Sequence, residues 1–184
     1  MKKQPVYLLS CVLLIIIPIS AFTSSDRDPE EAVIHDTCKK THMYGHCVQA
    51  IHSYELFDFT SHSTPLKLAN IIIYVTGAQQ ALDTLQRIND LISSSGGESR
   101  YYIDALKACR EEYERIYDVD YFTAWVKMAN GDYGASENAM WSARGRANSC
   151  ERGFDRVGKY PITDMNNKLW MLGLVAVDVI HSLL

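Results

Sequence analysis

The stretch from Cys109 to Cys150 constrains this chain more than any other. Its strong helix breaker is Asn130-Gly131-Asp132, in which Asn and Gly suit a helix C-terminus and Asp suits the N-cap of the next helix. If that turn joins two antiparallel helices, residues about equally far before and after it stand level with each other. Cys109 lies 22 positions before Gly131, and Cys150 lies 19 after it. At about 1.5 Å of rise per residue, both thiols sit roughly 30 Å from the turn. The spacing suggests a helical hairpin with a disulfide across its far end, although spacing alone does not fix a pairing.

The amino terminus has to be set aside before cysteines are counted. Lys2-Lys3 is a basic start, Val6 to Ile19 is an apolar run, and small residues follow at Ser20, Ala21 and Thr23 to Ser25. Residues 1–25 therefore read as a secretory signal peptide, with cleavage expected between 20 and 25. The run is short for the ~20 apolar residues of a membrane span, and no second long run follows it. The expectation is a secreted protein with no membrane segment once the leader is removed. Cys11 leaves with the leader, so Cys38, Cys47, Cys109 and Cys150 remain. Four cysteines in a secreted chain imply two disulfides, for which three pairings exist. Spacing favours the near pair Cys38/Cys47 and the distant pair Cys109/Cys150. On the loop-entropy model these would stabilise the fold by about 2.7 and about 4 kcal/mol.

The remaining chain, about 160 residues, is long enough for one domain with its own core. Without Lys2 and Lys3 it holds 16 basic and 22 acidic side chains, a formal charge of −6. That balance argues against nucleic acid or anionic membranes as partners.

Read in order, Pro29 with Glu30 and Glu31 opens a short helix towards Cys38, Thr41 to Gly45 turns, and Cys47 to Leu56 is a second short helix. Residues 26–57 thus form an α-hairpin too small to hold a core unaided. Phe57 to Ser63 links it to a helix started by Thr64 as N-cap and Pro65 at the first position. Ile71, Val75, Ala78, Leu82, Leu85, Ile88 and Ile92 then recur at steps of three and four, as a bundle-facing stripe does. Ser93 to Gly97 ends that helix. Ser99 caps the next one, which carries Tyr102, Ala105, Leu106, Cys109, Tyr113, Ile116, Phe122, Val126 and Ala129 inward and Glu111, Glu112, Glu114, Asp118 and Asp120 towards water. Asp132 starts a third helix, through Ala139, Ala143 and Ala147 to Cys150 and Phe154. Thr163 or Asp164 caps a last one over Leu169 to Leu184, apolar nearly all round and so expected at the centre. The fold predicted is all-α. Residues 64–184 form an antiparallel up-and-down four-helix bundle, the N-terminal α-hairpin leans on it, and 26–184 is one domain.

These residues resemble the plant invertase inhibitor and pectin methylesterase inhibitor family. The likeness runs through Thr37-Cys38-Lys-Lys-Thr41, Cys47 with Val48 and Ile51, Ala105-Leu-Lys-Ala-Cys109 with Tyr113, Gly131-Asp132-Tyr133, Ser142-Ala143 and Ser149-Cys150-Glu151-x-x-Phe154. A Leu/Val-rich last helix closes it. The resemblance implies a four-helix bundle with an α-hairpin and disulfides paired first to second and third to fourth. It also implies a secreted, monomeric, cofactor-free inhibitor rather than an enzyme, binding one pectin methylesterase or invertase in the cell wall or the vacuole. Known invertase inhibitors of the family resemble one another in a Pro-Lys-Phe insert after the Gly-Asp of the turn, which reaches into the invertase active site. Here that place reads Gly131-Asp132-Tyr133-Gly134-Ala135. Gly-Asp-Tyr looks more like the pectin methylesterase side, whose bundle covers the enzyme's substrate cleft. The expected target is therefore a pectin methylesterase, with invertase, or no enzyme at all, as alternatives. Trp141, Arg144, Arg146 and Arg152 depart from the family's usual residues, and the arginines change the charge of a helix expected to touch the target. The expected target contacts are Asp132, Tyr133, Trp141 and Arg144.

The other candidates are weaker. Five of six histidines fall between His35 and His62, and His42 and His46 have the i, i+4 spacing of metal ligands. Gly45 and Cys47 place both in a turn with no acidic third ligand nearby, so no metal is expected. A histidine pair of this kind would make binding of a partner depend on pH. The acidic run on the second long helix reads as a solvated face, and no catalytic motif accompanies it. Half or more of Tyr101, Tyr102, Tyr113, Tyr117, Tyr121 and Tyr133 are expected in the core or lining a groove, and Trp125 and Trp170 in the core, which leaves Trp141 for an interface.

Overall fold

The computed structural model describes residues 29–53 and 64–184. The expected signal peptide, residues 26–28, the expected end of the second short helix at 54–56 and the expected Phe57–Ser63 linker lie outside the described residues. Helix α1 spans Pro29–Cys38 and α2 spans Tyr44–His52. The bundle is built from α3 over 65–93, α4 over 100–129, α5 over Tyr133–Gly153 and α6 over Thr163–His181. The fold is all-α, with long bundle helices and an N-terminal pair, as expected.

Local chemistry explains most of the boundaries. Thr64 accepts from the Lys67 amide, with Pro65 in the first turn, and Ser99 accepts from the Tyr102 amide. At the central turn the Gly131 amide donates to Met128 O at 3.0 Å and the Asp132 amide to Lys127 O at 2.9 Å. Those two bonds close a Schellman motif, for which Gly131 takes φ 74°. Asp132 then caps α5 by accepting from the Ala135 amide at 3.2 Å. The last helix begins earlier than expected and lacks a side-chain cap. Buried Ile162 occupies the N-cap position, while the Thr163 hydroxyl donates to Glu151 and Asp164 lies in the first turn.

Both long N-terminal bundle helices contain a π-helical turn, Ile71–Gly77 in α3 and Ile116–Tyr121 in α4. A wider turn inserts residues into the helical count and shifts the face that follows. Ile71, Ile72 and Ile73 are consequently all buried, whereas Leu82 of the predicted stripe is exposed. After the turn in α4, Asp120, Tyr121, Ala124 and Met128 face inward, while Phe122 and Ala129 face out. Asp120 is thus a core carboxylate rather than part of a solvated face. The two π turns meet where Tyr121 packs on Gly77; a Cβ at Gly77 would come within 2.6 Å of the Tyr121 ring.

Cys38–Cys47 joins α1 to α2, with Cα atoms 5.5 Å apart, and Cys109–Cys150 joins α4 to α5 at 4.4 Å. The thiols about 30 Å from the turn do meet. Helix α6 is the central element: no residue from Leu169 to Ile180 is exposed. Near the second disulfide, Tyr113 donates to Asn166 Oδ1 at 2.5 Å, and Asn166 Nδ2 reaches Glu151 and Cys150 Sγ. Burial holds the Tyr113 hydroxyl well above its ordinary pKa, so it remains a donor. The hairpin leans on α6 and the π turn of α3. Among the described residues no helix is long and apolar enough to cross a membrane.

Candidate functional site

Helix α5 carries the expected target contacts, and helical geometry decides where each points. Successive residues turn by about 100°, so Arg144 and Arg146 face nearly opposite directions. Arg144 faces α6. It is only 6% exposed, although arginine is almost never buried without a partner. Its guanidinium carbon lies 4.2 Å from the ring centroid of Trp141 and 4.2 Å from that of Trp170. The group therefore makes cation–π contacts with two indoles, one of α5 and one of α6. Gly173 makes the room: a Cβ there would stand 2.6 Å from Arg144 Cγ and 3.0 Å from Cδ. Nε and Nη1 are shielded from solvent and have no hydrogen-bond partner. Burial lowers the guanidinium's pKa, and the Asp178 charge only partly opposes this. An arginine nevertheless remains charged.

Arg146 faces α4. Its Nε donates to Asp120 at 2.8 Å and its Nη1 to Glu112 at 3.1 Å. Burial works against its charge, but the Glu112 hydrogen bond and the Asp120 carboxylate outweigh it and raise its pKa. Burial likewise raises the Asp120 carboxyl, against the Ser142 hydroxyl and Arg146, which lower it. Arg146 consequently adds no free charge to the surface of α5.

Trp141 is 47% exposed, and its Nε1 donates to Glu137 at 3.4 Å. Asp132 and Tyr133 sit at the other end of the helix. Asp132 accepts from Lys127 at 3.2 Å and from the Ala135 amide, which lower its pKa, and Tyr133 is half-buried against the core. Twelve residues of helix separate Asp132 from Arg144, roughly 18 Å. The four expected contacts therefore form two places: a cap at the turn, and a Trp–Arg–Trp stack further along.

Trp170 and Gly173 complete that stack, and the sequence reading assigned Trp170 to the core instead. A glycine inside an otherwise apolar helix was the available signal, because it costs about 1 kcal/mol relative to alanine unless something packs there. Trp125, also read as core, is 38% exposed. With Tyr74 at 5.2 Å and Phe122 at 6.1 Å between ring centroids, it forms an exposed aromatic patch beside the π turns. Tyr102, Tyr113 and Tyr121 are buried, as half of the tyrosine set was expected to be.

His35, His42, His52 and His181 lie beside carboxylates. The His42 amide donates to Asp178 at 2.8 Å and its ring lies 3.1 Å from both carboxylate oxygens, which pins the hairpin to α6. His46 lies in the first turn of α2 rather than in the preceding loop. Glu31 meets His35 at 2.9 Å and His52 at 3.4 Å, and His62 lies outside the described residues. Among the described residues, no group of three or more His, Cys, Asp or Glu side chains could hold a metal ion.

The family model for plant invertase/pectin methylesterase inhibitors matches residues 32–176. The chain belongs to this family. It is a family of inhibitors, not of enzymes. Among solved structures, mutant form A of a pectin methylesterase inhibitor from Arabidopsis shares the fold, with a TM-score of 0.63 and 18% identity. That match covers 78% of this chain and 92% of the other. A pectin methylesterase inhibitor from Arabidopsis thaliana matches with a TM-score of 0.60 and 19% identity, covering 83% and 97%. Among curated proteins, no sequence relative matches.

Proposed function

We propose that this family member inhibits a pectin methylesterase, binding it one to one and covering its substrate cleft with the face of the bundle that carries α5. The observation that carries the choice of target is the turn before α5. Gly131 and the Asp132 amide close the end of α4, the Asp132 side chain caps α5, and Tyr133 already belongs to the helix. No Pro-Lys-Phe insert projects there to enter an invertase. Two disulfides and a satisfied turn keep the surface rigid before binding, which limits the entropy lost on association. Trp141 and Arg144 are the anchors of the contact, in keeping with the enrichment of Trp and Arg at binding hot spots. Residues 1–25 direct the chain into the secretory pathway and are removed, which brings it to the cell wall.

The test is a titration of the oxidised, secreted chain into a plant pectin methylesterase and, separately, into an acid invertase at mildly acidic pH. Saturable inhibition of the esterase alone is expected. Inhibition of the invertase alone would show that the missing insert carries no information about the target, and silence against both would remove the inhibitor reading for this chain.

A further inference from the structure

Where the two π turns meet, the surface outside them is aromatic. Gly77 of α3 admits the Tyr121 ring of α4, so both helices leave the α-helical count at one level. Single π turns inside longer helices are frequent at functional sites. Here Tyr74 and Phe122 are each more than half exposed, and Trp125 packs on both rings. Beside them opens a recess of about 110 Å³, lined by Tyr74, Ala78, Tyr117, Asp118, Tyr121 and Phe122. Of these residues Asp118 alone carries a charge, and it is exposed. No hydrogen bond or ion pair engages its carboxylate among the described residues. The acids around it on α4 are all engaged: Glu112 and Asp120 with Arg146, and Glu114 with Arg110.

We propose that this recess receives a cation, the basic side chain of a partner protein, with its charge over the ring faces and against Asp118. Aromatic faces carry the negative side of the ring quadrupole and attract a cation within about 6 Å of the centroid. Asp118 adds a full negative charge at the same place, and the formal charge of −6 on residues 26–184 favours basic partners in general. The walls suit the rest of a lysine or arginine, whose methylene stem lies along apolar surface while its head stays at the rim. Trp125 supports two of those walls, its centroid 5.2 Å from that of Tyr74 and 6.1 Å from that of Phe122, so the site stands before its occupant arrives. A neutral apolar group would leave the carboxylate unused, and an anion would be repelled by it. The recess belongs to α3 and α4, whereas the stack of Trp141, Arg144 and Trp170 belongs to α5 and α6. It therefore goes beyond the inhibitor reading and stands or falls separately from it.

The test uses the oxidised, secreted chain at pH 6 and constant ionic strength. NMR follows the Trp125 indole N–H resonance, assigned as the one lost in Trp125→Phe. Three probes of similar shape are titrated: butylammonium, butan-1-ol and butyrate. Butylammonium should shift the resonance saturably and bind about threefold or more tighter than butanol, with butyrate weakest. If butanol binds as well as butylammonium, or if no probe moves the resonance, the cation site is overturned. Asp118→Asn and Phe122→Ala change exposed side chains, so both variants should fold. Each should weaken butylammonium about two- to fivefold, and unchanged affinity in both would also overturn the proposal. Short peptides then identify the source of the cation: acetyl-Gly-Lys-Gly-amide, its ε-acetylated form, and the matching arginine peptide. A basic peptide should bind at least as tightly as butylammonium, and the acetylated one should not. A recess that takes butylammonium but neither basic peptide would overturn the protein side chain as occupant and reassign the site to a small amine.

Discussion

Arg144 and Arg146 stand two residues apart on one helix and have opposite surroundings. Arg146 meets Asp120 and Glu112 through hydrogen bonds of 2.8 and 3.1 Å, and the three charges join α4 to α5. Arg144 lies against two tryptophans, more deeply buried and without an acceptor for two of its nitrogens. The difference teaches how a residue type divides its uses. Where the bundle supplies the anions, arginine is part of the fold. Where it supplies aromatic faces and a space at Gly173, the side chain is held in one pose with its hydrogen bonding incomplete. We assign the first to stability and propose the second for recognition.

Four substitutions break or sharpen that contrast, taken from the largest effect to the smallest. Arg146→Met strands buried Asp120 without its cation and should lower unfolding free energy by about 3 kcal/mol in urea titration, with inhibition per folded molecule unchanged. Arg144→Met should do the reverse: affinity falls by about 2 kcal/mol or more, while urea stability stays within about 1 kcal/mol of native or rises. Gly173→Ala forces its Cβ against the Arg144 stem and should cost about 1–2 kcal/mol. In an Arg144→Ala background, where that stem is gone, the same change should be neutral or stabilising, so a double-mutant cycle isolates the contact.

The smallest effect is in pH. Burial raises the Asp120 carboxyl in the folded protein above its ordinary value of about 3.8. The folded state therefore binds that proton more readily than the unfolded chain does. The contribution of Asp120 to stability must then fall as pH rises from 3.8 through its folded pKa, and stay reduced above it. Asp120→Asn should remove this component, seen as the difference between native and variant urea midpoints at pH 3.5 and pH 6. Arg146→Met should enlarge it, because the cation that lowers the Asp120 pKa is gone.

Much of this was legible in the sequence. Thr64, Ser99 and Asp132 cap the helices they were expected to cap, because a short polar side chain before an apolar period has few other uses. Cys109 and Cys150 pair because the rise per residue carries both to one height. The π turns were not legible, since nothing in Ile71–Gly77 or Ile116–Tyr121 announces an extra residue per turn, and while Ala78 and Ile88 face inward as expected, Leu82 and Phe122 do not. Asp120 and Trp125 were misplaced for that reason. At the candidate site, Trp141 and Arg144 could be singled out by type, but Trp170 could not. A stack between two helices depends on their relative rotation, which local periodicity does not contain.

The measurement that tests this account most directly sets urea stability beside esterase affinity for Arg144→Met and Arg146→Met. The account predicts a crossing: Arg144→Met as stable as the native chain but about 30-fold or more weaker in binding, and Arg146→Met destabilised but binding normally while folded. If Arg144→Met unfolds readily and its folded fraction still inhibits at native affinity, the stack is only a clasp between α5 and α6, and the division drawn between the two arginines is wrong.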